Sequence, residues 1–143
     1  MGVSDLQSGR VYKITNVKTP SFVVDLSGAN NREIIGYSDN GGQNQRWMLE
    51  RENDGWTLRN LANGKYAGVE NFSDANGAKV IAVDQQYTWH IWHEDQTNHP
   101  DRFRISVPGV KKSFDLSNHG AGPDIEIWGA WKGENQLWTF DEV

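Results

Sequence analysis

Two aspartates recur in one setting, Asp25 in Val24-Asp25-Leu26 and Asp115 in Phe114-Asp115-Leu116. In an extended chain each points to the opposite face from its apolar neighbours. Downstream, an aromatic and an amide keep one spacing: Tyr37 to Asn44 and Trp128 to Asn135 are both seven residues. Carboxylates and amides exchange hydrogen bonds, and an aromatic face accepts an apolar patch. Such groups hold a ligand; they do not by themselves break a bond.

Catalytic constellations are missing from the sequence. Glycoside hydrolysis needs two carboxylates facing each other across a cleft, whereas the acidic residues here are scattered. There is no Gly-x-Ser-x-Gly elbow, and the absence of cysteine excludes a thiol nucleophile, a thiolate metal site and a disulfide framework. His90 and His93 are three apart in His90-Ile91-Trp92-His93, which puts the rings on opposite faces of a strand and argues against a shared metal. No phosphate-binding loop or dinucleotide fingerprint occurs. The expectation is a protein that is not an enzyme and needs no cofactor and no metal.

A formal net charge of −5 gives no basic footprint for nucleic acid or an acidic membrane. No stretch approaches the roughly 20 apolar residues of a membrane span, so no membrane insertion is expected. The first residues carry neither a basic region nor an apolar run, and a cysteine-free chain suits a reducing compartment. A cytoplasmic address is therefore expected. Asn71-Phe72-Ser73 fits a glycosylation acceptor and is read as a chance match.

The elements that must position the polar groups come from an internal repeat. Asn44-Gln45-Arg46-Trp47, Trp89-His90-Ile91-Trp92 and Asn135-Gln136-Leu137-Trp138 end alike, and taking Trp92 as the middle closure gives intervals of 45 and 46 residues. Tyr12-Lys13-Ile14, Trp56-Thr57-Leu58 and Phe103-Arg104-Ile105 open the copies with strand alternation, two core-facing residues around an outward one. Second runs follow at Val24-Asp25-Leu26, Ala67-Gly68-Val69 and Phe114-Asp115-Leu116. Third runs follow at 34–37, 79–82 and 125–128. Turn-rich links such as Ser27-Gly28-Ala29-Asn30-Asn31 and Gly120-Ala121-Gly122-Pro123 separate them. No apolar set recurs at helical spacing. The prediction is one all-β domain over residues 1–143, with three pseudo-symmetric repeats of four short strands at about 9–52, 53–97 and 98–143. Closing three such units around an axis removes most exposed edges.

The Gln-x-Trp closures and the period of about 45 residues resemble the ricin B-type (R-type) lectin family, whose fold is the β-trefoil. The compact, cysteine-free form is similar to the mushroom lectins of that family. The resemblance covers about residues 9 to 141. It implies a site in each competent repeat, built from an Asp in the second strand, an aromatic after the third and an Asn before the closing Gln-x-Trp.

Transferred copy by copy, the resemblance gives Asp25, Tyr37, Asn40 and Asn44 as a primary carbohydrate site. Asp115, Trp128, Trp131 and Asn135 form a secondary one. The loop residue Trp131 either enlarges the stacking surface or blocks the pocket. In the middle copy Gly68, Ala82 and Trp89-His90 replace the set, which makes that copy structural. Gln45, Trp47, Trp92, Gln136 and Trp138 are read as structural, the glutamines bonding backbone and the tryptophans filling the core. Asp25 and Asp115 also admit a reading as turn or capping residues, and Tyr37 and Trp128 as packing beneath a loop.

The implied partners are glycans ending in galactose or N-acetylgalactosamine, on glycoproteins or glycolipids, with a defence role by the same resemblance. A single sugar site binds weakly, so a homodimer that adds avidity is expected. The alternative from another class is a β-trefoil protease inhibitor acting through an exposed loop, which has no need for the repeated Asp, aromatic and Asn set.

Overall fold

The computed structural model describes residues 2–94, 98–117 and 123–143; Gly120, Ala121 and Gly122 of the third-copy link lie outside them. The first copy supplies β1 (Arg10–Asn16), β2 (Phe22–Leu26), β3 (Ile34–Ser38) and β4 (Trp47–Glu52). The second supplies β5 (Gly55–Asn60), β6 (Tyr66–Val69), β7 (Val80–Val83) and β8 (His90–His93). The third supplies β9 (Phe103–Ser106), β10 (Lys112–Leu116), β11 (Ile125–Gly129) and β12 (Trp138–Glu142). The helical segments among the described residues are three single 3-10 turns, at Gln43–Gln45, Glu70–Phe72 and Glu134–Gln136. The fold is a β-trefoil.

First and fourth strands make the barrel. β1 pairs antiparallel with β12 and β4, β4 with β5, β8 with β9, and β9 with β12. The remaining seam, between β5 and β8, closes through reciprocal backbone bonds between Trp56 and Trp89 at 2.8 and 2.7 Å. Closure leaves the barrel no edge on which another chain could add.

Second and third strands form three hairpins that meet around the axis. Gly36 N donates to Pro123 O at 2.8 Å, Ala82 N to Arg32 O at 2.7 Å and Ile127 N to Ala78 O at 2.9 Å. Each hairpin thus donates to another in a cycle, using equivalent positions of each copy. The repeat in the sequence is a rotation in space.

The core is where the alternation places it. Tyr12, Ile14, Leu58, Phe103 and Ile105 are buried, as are the second-strand residues Val24, Leu26, Phe114 and Leu116. The intervening positions are not all outward, however. Thr57 and Arg104 are buried too, Arg104 against Gln136 and Trp131 O of the loop between β11 and β12.

The closing tryptophan of the middle copy is Trp89, which corrects the assignment of Trp92 to the core. Trp47, Trp89 and Trp138 are fully buried, and each indole N–H donates to a second-strand carbonyl. The acceptors are Val24 at 3.0 Å, Ala67 at 2.9 Å and Phe114 at 3.3 Å. Trp92 is 46% exposed. Three residues apart in extended chain, the two rings must take opposite faces, and the bridge to Trp56 commits Trp89 to the interior. The true intervals are 42 and 49 residues.

Candidate functional site

Asp25 is buried, 3% exposed, and its Oδ2 accepts hydrogen bonds from Gln45 Nε2 at 2.8 Å and Asn44 Nδ2 at 3.1 Å. It is therefore not a turn cap. Burial pushes its carboxyl above the ordinary value of 3.8, with the two amide bonds opposing that rise. Asn44 Nδ2 also reaches Leu26 O at 3.1 Å.

Gln45 ties three elements together. Its Nε2 donates to Ser38 O at 2.8 Å as well as to Asp25, and its Oε1 accepts the Asn40 N–H at 2.8 Å. The backbone role expected of this residue is present, and the grip on the carboxylate is additional.

Tyr37 is 53% exposed and does not pack beneath a loop. It pairs with Val23 in the hairpin while Asp25 pairs with Ile35, so Tyr37 and Asp25 share a face, diagonally placed. Asn40 turns in on its own loop, accepting the Gly42 N–H at 2.8 Å. A Cβ on Gly42 would sit 2.6 Å from Asn44 Oδ1 and 3.0 Å from Asn40 Oδ1, so only glycine lets the two amides gather there. The loop is pinned by Lys13, whose ammonium reaches Asp39 at 3.0 Å and holds that carboxyl below its ordinary value. A cleft of about 140 Å3 lies along Lys13, Asp39, Gly42 and Gln45, with neither Asp25 nor Tyr37 in its lining.

The third copy repeats the frame and opens it. Gln136 Nε2 donates to Asp115 Oδ2 at 2.9 Å and to Gly129 O at 3.0 Å, and its Oε1 accepts the Trp131 N–H at 3.1 Å. Trp131 lies flat on Gly133: a Cβ there would come within 2.1 to 2.5 Å of three indole ring atoms. The ring forms a wall and does not plug the pocket. A cleft of about 220 Å3 results, lined by Asp115, Ser117, Glu126, Trp128, Trp131 and Asn135. All four residues assigned to the secondary site are among them, with Trp128 and Trp131 40% and 54% exposed. Asn135 Nδ2 reaches Leu116 O at 3.4 Å, and its buried Oδ1 has no hydrogen-bond partner among the described residues.

The middle copy fills the same space with hydrocarbon. By register Val83, not Ala82, stands opposite Tyr66 where Tyr37 stands opposite Val23. With Trp89 as the closure, Tyr87 takes the place of the glutamine, so Trp89-His90 does not replace the Asn-Gln pair. A Cβ on Gly68 would meet Val83 Cγ2 at 2.7 Å and Tyr87 Cδ2 at 3.3 Å. Phe72 stacks on Tyr87 with centroids 6.4 Å apart. Burial pushes the Tyr87 hydroxyl up, and Asp74 adds to the shift.

Sequence reasoning missed Arg104. Its guanidinium donates to Gln136 Oε1 at 2.9 Å, Trp131 O at 2.6 Å and Glu94 at 2.5 Å, fixing the third-copy loop as Lys13 fixes the first. The signal was available: the middle residue of the opening-strand triplet is Lys13, Thr57 and Arg104 in turn, cationic only where the polar set survives. Among the described residues no group of three His, Cys, Asp or Glu could hold a metal ion.

A profile of the family described as "Ricin-type beta-trefoil lectin domain-like" matches residues 3–83. The structure is similar to that of the Macrolepiota procera ricin B-like lectin in complex with lactose. That match has 39% sequence identity, a TM-score of 0.90 and coverage of 97% of this chain and 99% of that one. It is also similar to the Rhizoctonia solani agglutinin, at 26% identity, a TM-score of 0.81 and coverage of 97% and 99%. A designed three-fold symmetric protein, 24% identical with a TM-score of 0.79, covers 93% of this chain and 99% of its own and shares the fold. Pierisin from Pieris brassicae is 29% identical across 92% of the chain, which spans 17% of that curated relative's length. With the profile covering more than half of its residues and a lectin structure matching it end to end, the chain belongs to the ricin-type β-trefoil lectin family.

Proposed function

We propose that the protein is a non-enzymatic lectin for glycans ending in galactose or N-acetylgalactosamine. The observation that carries this reading is the Asp–Gln clamp beside an exposed aromatic, present in the first and third copies and replaced in the second by Gly68 packed under Val83 and Tyr87. The similar Macrolepiota procera lectin was solved in complex with lactose, which ends in a galactose ring.

Asp25 and Asp115 are presented on Oδ2 to a glutamine, leaving Oδ1 for sugar hydroxyls. Tyr37 and Trp128 stack on the C–H face of the ring, which an axial hydroxyl leaves uniformly apolar. Asn44 and Asn135 read a hydroxyl from the side. Of the two, only the third copy gathers its Asp, both aromatics and its Asn along one cleft, so we rank it at least equal to the first. A cytoplasmic, homodimeric protein in a defence role fits the cysteine-free composition and the weak binding expected of single sites.

A glycan array tests the specificity. Signal concentrated on galactose- and N-acetylgalactosamine-terminated glycans supports the reading, and a blank array or signal confined to other sugars contradicts it.

A further inference from the structure

A second cavity lies on the other side of Trp131. A cleft of about 400 Å3 lies between Trp92 and Trp131, lined also by Ser106, Val110, Lys111 and Lys132. Trp131 is a wall of this cleft and of the third-copy cleft at once, so the two are neighbours. Lys111 stands just before β10 and Asp115 within it, about 13 Å apart at the rise of an extended strand.

Trp92 is not part of the buried core, and its ring meets the His90 ring edge-on at 6.3 Å. Trp89 supplies the buried closure, and Trp92 stands 46% exposed on the next turn of the pleat. An indole left in water beside a concavity is a binding feature more often than a packing one. The charge is equally specific. Arg104 is neutralised by Glu94 at 2.5 Å, while Lys111 and Lys132 make no ion pair among the described residues, in a chain of net charge −5. A local cationic patch in an acidic protein draws an anionic group.

We propose that the third-copy site is one end of a longer surface, and that the Trp92–Trp131 cleft takes a further ring of an acidic oligosaccharide. Trp92 and Trp131 stack on that ring, and Lys111 and Lys132 pair with its sulfate or carboxylate. The inference rests on the lectin reading above.

The test is calorimetric titration in a Tyr37→Ala background, which removes the first-copy platform. The ligands are methyl galactoside and a galactose tetrasaccharide with and without a sulfate group. The tetrasaccharide is expected to bind about tenfold tighter than the galactoside, as one added aromatic stack allows, and its sulfated form tighter still. Adding Trp92→Ala should remove the tetrasaccharide advantage while the galactoside affinity stays the same. Lys111→Ala should remove only the sulfate preference, as should high salt. If the galactoside binds but Trp92→Ala changes neither oligosaccharide, or sulfation changes nothing, the extended surface is wrong and the lectin reading survives. If no galactoside binds, the lectin reading itself falls and the extension falls with it.

Discussion

The side-chain amide of Gln45 donates to the carboxylate of Asp25 at 2.8 Å, across the gap between the loop and the second strand. Gln136 and Asp115 make the same contact at 2.9 Å. Two residues after each glutamine, a buried tryptophan donates to the carbonyl of the residue just before that aspartate. The Gln-x-Trp closure therefore grips one strand twice, once at the backbone and once at the aspartate carboxylate. Fold and site share a fastening.

Gln45→Leu should show that sharing. It takes one of two donors from the buried Asp25 carboxylate and the side-chain partners of Ser38 O and the Asn40 N–H on the exposed loop, and one buried group left short of a partner costs about 1–3 kcal/mol. Urea denaturation should show a loss in that range, and galactoside titration should show the first-copy site gone. A variant of unchanged stability and stoichiometry would mean that the glutamine is not the clamp.

Asp25 links pH to both properties with opposite signs. Its folded value is raised by burial above the unfolded 3.8, so its favourable contribution to stability is present below 3.8 and is lost as pH rises through the raised value. Asp25→Asn should therefore gain stability relative to the parent as pH rises through the weakly acidic range. Sugar binding needs the ionised acceptor and should strengthen over that same window in the parent. Paired thermal melts and titrations across acid pH check the two slopes; parallel slopes would contradict the assignment.

Trp89 and Trp92 of the middle copy separate cleanly. Trp89→Ala removes a fully buried ring and should cost about 3–5 kcal/mol. Trp92→Ala acts on a half-exposed ring and should stay within about 0.5 kcal/mol. Chemical denaturation of both variants decides between them.

That pair also marks what the sequence could and could not disclose. Alternation and repeat spacing located all twelve strands and their grouping, because a barrel of hairpins forces a two-residue period on every copy. They did not locate the closure in Trp89-His90-Ile91-Trp92, where either ring satisfies the period and the choice lies in a non-local bridge to Trp56. The polar set of the first and third copies was legible from residue type. The openness of the third was not, since it depends on Trp131 lying flat on Gly133, a contact that spacing does not encode. Arg104 was overlooked for the same kind of reason: its partners lie on a loop of another strand pair.

Restoring the missing carboxylate should not restore the middle site. Gly68→Asp would drive its Cβ into Val83 and Tyr87, which overpacks the hairpin by about 1–3 kcal/mol. A denaturation midpoint that falls, with no gain in galactoside stoichiometry, is the expected result. A third functional site would show that the hydrocarbon filling is not what silences this copy.

The central claim is that two aspartates, each held by a glutamine, make two sugar sites. Calorimetric titration with methyl galactoside reads the count directly. The parent should bind two equivalents per chain, Asp25→Asn and Asp115→Asn one each, and the double variant none while keeping its melting transition. Undiminished binding by the folded double variant would contradict the account.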